Sequence, residues 1–375
     1  VNGMRIALVL GTSSGGVGGH VRSVAAGLAA RGHRVAVLGP EGTGERFGFA
    51  AAGARFAPVD IGAEPRPLHD LAAVAQIGGM LRGAEVVHAH GVRAGALCAL
   101  SGARPLVVTV HNAPPRVGGA RALAYPALER AVALRADAVL GVSRDLVRRM
   151  AALGARGTGL AVVAAPPLPA PRRPRAQVRA ELGAAPDRPL LLTVARLAEQ
   201  KGLDVLLEAA GELGAREPAP LFAVAGGGPL RGPLQERIDA AGLPVRLLGH
   251  RSDVAELLAA ADAFVLPSRW EGPSLVVMEA LRAGLPVVAS RVGGIADLYE
   301  ESALLVPPGD AAELARAVRR ALDEPGLAER MSAAAPAAAA ALPGESDAVD
   351  QLERVYRSVA DCERANGKTC SRSPL

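Results

Sequence analysis

The chain has 375 residues, half of them hydrophobic, which is enough to bury a large core and favours two domains over one. Its formal charge of +5 is scattered along the sequence and only 2% of residues are aromatic, which leaves few stacking platforms and argues against nucleic-acid binding. No apolar run reaches the length of a membrane span, and the opening run 4–10 reads as a first strand instead of a signal peptide, so a cytoplasmic protein is expected.

Apolar runs at 4–10, 35–38, 85–89, 106–110 and 138–142 alternate with helical patterns of ten or more residues. A Pro- and Arg-rich stretch at 165–174 then reads as an extended linker. Beyond it the alternation resumes, with strands at 190–195, 220–225, 245–248, 262–267, 286–290 and 303–306. Continuous hydrophobic strands separated by helices imply parallel sheets covered on both faces, the doubly wound α/β class. Eleven strands exceed one such sheet, so the expectation is two Rossmann-like domains facing across a cleft, 1–168 and 169–345. The Ala-rich stretch 332–342 is helical in pattern, 346–362 holds an amphipathic helix, and 363–375 reads as a disordered tail.

Chemistry-bearing residues fall at predicted strand ends. After the first strand, Gly15 and Gly16 open a helix in the context where backbone approaches an anion. This loop lacks the Lys and Ser/Thr of a P-loop, and its spacing fails the dinucleotide fingerprint. A tight turn for helix packing accounts for it equally well. Lys occurs only at 201 and 368 while Arg supplies nearly all of the 42 basic residues, a bias that Lys201 resists inside the folded region. Where a compact ammonium must meet phosphate, Arg is no substitute. Arg196 and Lys201 follow a predicted strand and place two cations at the mouth of the second sheet, suited to a leaving diphosphate. The other outcome for such a pair is two solvated loop cations. Glu271 and Glu279 flank a helix start at Ser274, which reads as an N-cap, with Leu275 and Val276 in the first turn. Free amides and a positive dipole end suit a pyrophosphate there, with one carboxylate for the hydroxyls on either side: a nucleotide sugar. Two ordinary helix-start acids are the plain alternative. Cys98, Cys362 and Cys370 suggest neither a disulfide framework nor a zinc site.

Taken together, Glu271 to Glu279 with the intervening Gly-Pro, Arg196 to Gly202, Ala225-Gly226-Gly227-Gly228-Pro229-Leu230 and Gly15-Gly16 resemble the retaining nucleotide-sugar glycosyltransferases of family 4, which have the GT-B fold. The resemblance spans about residues 4–325. It implies that Glu271 binds donor sugar hydroxyls and Glu279 the ribose diol, with Arg196, Lys201 and the amides of Ser274, Leu275 and Val276 on the diphosphate. It further implies that Gly16 lets the first domain close onto the phosphates, and that His111, after a strand, lies against the sugar near the reacting carbon. His88 and His90 are read as structural or acceptor-side. Two departures stand out: Val162 to Pro166 replaces the family's Pro-Asn-Gly, and Asp297 stands where Glu is commoner.

The expected reaction is a hexosyl transfer from a UDP- or GDP-sugar to an acceptor hydroxyl, with the donor as co-substrate and no cofactor. No Asp-x-Asp occurs, in keeping with a metal-free site in which cations and a helix dipole replace the metal. The acceptor is a small molecule, a glycan or a lipid-linked sugar; no nucleic-acid partner is expected, and the localisation leaves room for peripheral contact with the inner membrane face. A nucleotide-sugar 2-epimerase of the same fold is one rival. A basic membrane-surface or nucleic-acid adaptor, resting on the segment 116–135, is another.

Overall fold

The computed structural model describes residues 3–13, 15–62, 64–113 and 120–365, with side chains left aside at 120–124. Two compact units emerge, one formed by Val1–Pro166 with Pro343–Leu375 and the other by Pro167–Leu342. The division falls inside the Pro-rich linker. Lys368 and Cys370, most of the expected tail and the start of the basic segment 116–135 lie outside the described residues.

In the first unit the strands are β1 (Arg5–Leu10), β2 (Arg34–Gly39), β3 (Arg55–Pro58), β4 (Val86–His90), β5 (Leu106–Val110), β6 (Ala138–Gly141) and β7 (Thr158–Leu160). They form a parallel sheet in the order β3-β2-β1-β4-β5-β6-β7. The second unit holds β8 (Leu190–Val194), β9 (Leu221–Ala225), β10 (Val245–Gly249), β11 (Ala263–Leu266), β12 (Val287–Ser290) and β13 (Leu304–Val306), parallel in the order β10-β9-β8-β11-β12-β13. All eleven expected strands are present. The two not foreseen, β3 and β7, are short edge strands, half-exposed and carrying Pro58 and Gly159, so neither has the buried apolar run that marks a strand in sequence.

Central strands are buried along their length, β4, β5 and β11 at every residue. In the second unit Leu191, Leu206, Phe222, Val265 and Leu314 join in one core, each worth roughly 1.5–3 kcal/mol on burial. The strand order reverses at β1/β4 in one sheet and at β8/β11 in the other, and at such a reversal the loops leaving neighbouring strands diverge and open a crevice.

The C-terminal helix spans Glu345–Arg364, so 363–364 are helical and not tail. It packs on the first unit through a stripe that includes Val349, Leu352, Tyr356 and Val359. Gln351 fastens it by accepting from Val162 N and donating to Leu160 O, both at 2.7 Å. Arg31 and His33 bind its carboxylates, His33 meeting Glu353 at 2.9 Å. Cys98 is buried and free. Among the described residues no helix is long and apolar enough to cross a membrane.

Candidate active site

At the β8/β11 reversal, the loop after β8 carries Arg196 and Lys201 and the loop after β11 carries Glu271. The Lys201 ammonium donates to Glu271 Oε1 at 2.5 Å, and the Ser268 hydroxyl donates to the same oxygen at 2.6 Å. Two residues assigned separate tasks from the sequence therefore form one ion pair, with the Glu271 side chain only 8% exposed. Further bonds fasten the two loops: Arg269 N donates to Gln200 O at 2.8 Å, Gln200 Nε2 to Trp270 O at 2.9 Å, and the Arg269 guanidinium grips Asp204 at 2.7 and 2.6 Å. That grip holds the Asp204 carboxyl below the usual range. Gly202 makes the approach possible, because at φ 59° a side chain there would put its Cβ 2.1 Å from Pro267 O. Arg196 is exposed and has no side-chain partner among the described residues. The Ala225–Leu230 glycine stretch props this loop from behind, Leu197 N donating to Gly227 O at 2.9 Å and Leu230 N to Leu197 O at 3.1 Å.

The expected helix start is present as the helix Leu275–Arg282. Ser274 stands at its N-cap but does not cap it: the backbone is left-handed at φ 49°, and the buried hydroxyl has no partner among the described residues. A non-glycine residue in that region is strained. A buried hydroxyl without a partner is uncommon in a folded protein. Val277 N donates to Ser274 O at 3.0 Å, while the amides of Ser274, Leu275 and Val276 find no acceptor among the described residues. The buried Tyr299 hydroxyl donates to Pro273 O, and Gly293, at φ 43°, lies so close that a Cβ would sit 2.1 Å from Glu271 O. Glu279, half-buried in the second turn, has its carboxyl pushed up to about 7 by burial, against the pull of Arg282.

In the first unit the β1/β4 reversal gathers histidines. His90 ends β4 and His111 follows β5, with Leu10 beside His90 and His90 beside Thr109 in register. His20 reaches the same place from the helix Gly16–Ala30, at whose exposed start stand Gly15 and Gly16. Gly15 has open space around it and Gly18 abuts Phe47, so the glycine loop divides between an open turn and packing. His90 Nδ1 and His111 Nε2 share a hydrogen bond of 3.1 Å, and His88 bridges the Tyr356 hydroxyl at 2.6 Å and Thr109 Oγ1 at 2.7 Å. Burial drives all four imidazoles toward the neutral form, His20 down to about 4 and His88 to about 3, with neighbouring histidines adding to the effect at His88, His90 and His111.

Ser268, Tyr299, His20 and Tyr356 were not singled out from the sequence. For the histidines a signal existed: 88 and 90 on one strand, and 109 and 111 along the next, share one face by the two-residue period of a strand. Among the described residues, no group of three His, Cys, Asp or Glu could hold a metal ion.

Residues 15–166 match the family model of the glycosyl transferase 4-like domain, and 174–338 that of the glycosyl transferases group 1. D-inositol 3-phosphate glycosyltransferase 1 of Catenulispora acidiphila is 33% identical over 334 residues, 81% of this chain and 78% of its own. Alpha-D-kanosaminyltransferase of Streptomyces kanamyceticus is 38% identical over 191 residues, 49% of each, so the chain matches about half the length of that relative. The crystal structure of Anabaena HepE in complex with UDP and glucose superposes with a TM-score of 0.79 at 21% identity, over 95% of this chain and 100% of that one, a likeness of fold.

Proposed function

This chain belongs to the glycosyltransferases of family 4 and has their GT-B fold, and on that premise we propose that it moves a hexosyl unit from a UDP- or GDP-sugar to an acceptor hydroxyl with retention of configuration and without a metal ion. The observation that carries this reading is the Lys201–Glu271 pair beside three unpaired amides at the start of the Leu275–Arg282 helix. Cation, amides and dipole suit a diphosphate, and the half-buried Glu279 suits the ribose diol. The UDP and glucose held by the HepE structure support a nucleotide-sugar donor.

In the proposed step the anomeric carbon–oxygen bond to the diphosphate breaks while the acceptor oxygen bonds to the same face of that carbon. The acceptor proton passes to the leaving phosphate oxygen. Lys201, Arg196 and the amides of Ser274, Leu275 and Val276 stabilise the charge that develops on the diphosphate. His111 and Glu271 attend the sugar. This assignment rests on the family resemblance. The acceptor is a small molecule, a glycan or a lipid-linked sugar.

A thermal-shift series with UDP-, GDP- and ADP-sugars tests the donor, since a ligand bound only by the folded state raises Tm. A shift confined to UDP- or GDP-sugars is expected; a shift with none of them contradicts the donor. Product NMR tests stereochemistry, an inverted anomer contradicting retention. An epimerised nucleotide sugar formed without acceptor would identify the 2-epimerase instead. Transfer is expected to persist in excess EDTA, and its loss with rescue by magnesium or manganese would overturn the metal-free account.

A further inference from the structure

The four imidazoles of His20, His88, His90 and His111 are at most 8% exposed. His20, His90 and His111 stand with ring centroids 5.3 to 5.7 Å apart, and His88 lies on His90 at 4.1 Å. Held neutral by burial, each ring carries one proton, and where it sits is set by its partners. His88 is satisfied on both sides: the Tyr356 hydroxyl, a better donor than acceptor, gives to Nδ1, and Nε2–H gives to Thr109 Oγ1.

His90 has a partner on one side only. Its Nδ1 meets His111 Nε2, whereas its Nε2 is buried with no partner among the described residues. If His111 donated in this bond, the His90 proton would sit on Nε2 as a buried N–H with no acceptor. Orphaned buried donors are rarer than orphaned lone pairs. The proton in the shared bond therefore belongs to His90 Nδ1, His111 Nε2 accepts it, and His111 carries its own proton on Nδ1. No hydrogen-bond partner of that Nδ1 is found among the described residues, and the His111 side chain's one bond there is through Nε2.

We propose that His90 is a positioning residue that fixes His111 as its Nδ1–H tautomer, so that His111 offers a hydrogen-bond donor, not a bare lone pair, to a sugar hydroxyl. The Tyr356–His88–Thr109 chain holds the ring against which His90 packs at a tilt, which makes the C-terminal helix part of this arrangement. The tautomer follows from the geometry alone, while its use toward a sugar rests on the function proposed above.

Full-length protein labelled with 15N,13C-histidine tests it by NMR, the His111 signals being assigned by their loss in His111→Gln. In the wild type His111 is expected protonated at Nδ1; protonation at Nε2 overturns the proposal, and that spectrum decides even if no variant folds. His90→Phe removes the donor and should release His111 into a mixture of tautomers, whereas His90→Asn, with an amide N–H close to the lost Nδ1, should preserve it. An unchanged His111 tautomer in His90→Phe would also overturn the proposal. In kinetics, kcat should fall about 10-fold or more in His90→Phe and about 3-fold or less in His90→Asn, with the donor KM nearly constant in both. A tautomer change with kcat intact would confirm the positioning and remove His111 from the reaction, which separates this inference from the functional reading beneath it.

Discussion

At the strand ends of the second sheet an ammonium and a carboxylate meet at 2.5 Å in the loops that lead to three amides unpaired among the described residues, while at the strand ends of the first sheet buried imidazoles are kept neutral. Both places lie where the strand order reverses, so the fold supplies the same crevice twice. They are filled by opposite electrostatic plans. Fixed charge in one can stabilise a charged leaving group, whereas neutral rings in the other can direct hydrogen bonds without adding a cation. The difference teaches that the switch point decides where chemistry can sit and the loop residues decide which kind.

Removing the charge tests the first plan most severely. Lys201→Ala is expected to lower turnover by about 10²–10³-fold, the range for losing one preorganised electrostatic contact, and it also leaves the buried Glu271 without its counter-ion. Steady-state kinetics decide, and an unchanged rate would remove Lys201 from the site. Lys201→Arg should impair activity as well, since a planar fork does not reproduce the single contact at Glu271 Oε1.

Dividing the donor between the two carboxylates sharpens the comparison within the second unit. Glu271→Gln should lower kcat by about 10- to 100-fold, and Glu279→Gln should mainly raise the donor KM, because the ribose is remote from the reacting bond. Free nucleoside diphosphate, titrated by calorimetry, should lose affinity in the Glu279 variant and little in the Glu271 variant. Equal losses in both would refute the division.

The raised carboxyl of Glu279 adds a pH dependence. Near neutrality the folded protein holds a proton there that the unfolded chain has lost, so this group lowers stability as pH rises from about 4.5 through 7. A ribose diol that donates to the carboxylate favours the ionised form, so diphosphate affinity should be about tenfold weaker at pH 6 than at pH 8, one proton against a group titrating near 7. Comparison with Glu279→Gln removes the contribution of the nucleotide's own titration, and the same slope in both proteins would exclude Glu279 as its source.

The smallest effect concerns Ser274. Ser274→Gly relieves a left-handed backbone and should stabilise the free protein by roughly 1 kcal/mol, while weakening the diphosphate complex through loss of the unpaired hydroxyl. Thermal melts with and without nucleotide measure both, and a destabilised free protein would show that the strain is not relieved by glycine.

Much of this architecture was legible in the amino-acid sequence. The parallel α/β class, eleven of the thirteen strands among the described residues and the residues at the mouths of the sheets followed from buried apolar runs, helical spacing and residue type. Lys201 stood out because an Arg-rich composition had not replaced it. Other features were invisible for identifiable reasons. Ser274 is a good capping type by sequence, yet its backbone is left-handed because the 271–274 loop is held by Tyr299 and Gly293, both far along the chain.

Local sequence thus determined which elements form and which residues stand at strand ends, since periodicity and turn chemistry act over a few residues. Tertiary structure alone decided the pairings: Lys201 with Glu271, His90 with His111, and Tyr356 of the last helix with His88 of β4 across 268 residues. The physical reason is that desolvation and hydrogen-bond satisfaction belong to places in space. A residue type states what a group can donate or accept, and only the fold around it states which partner it has and whether water competes.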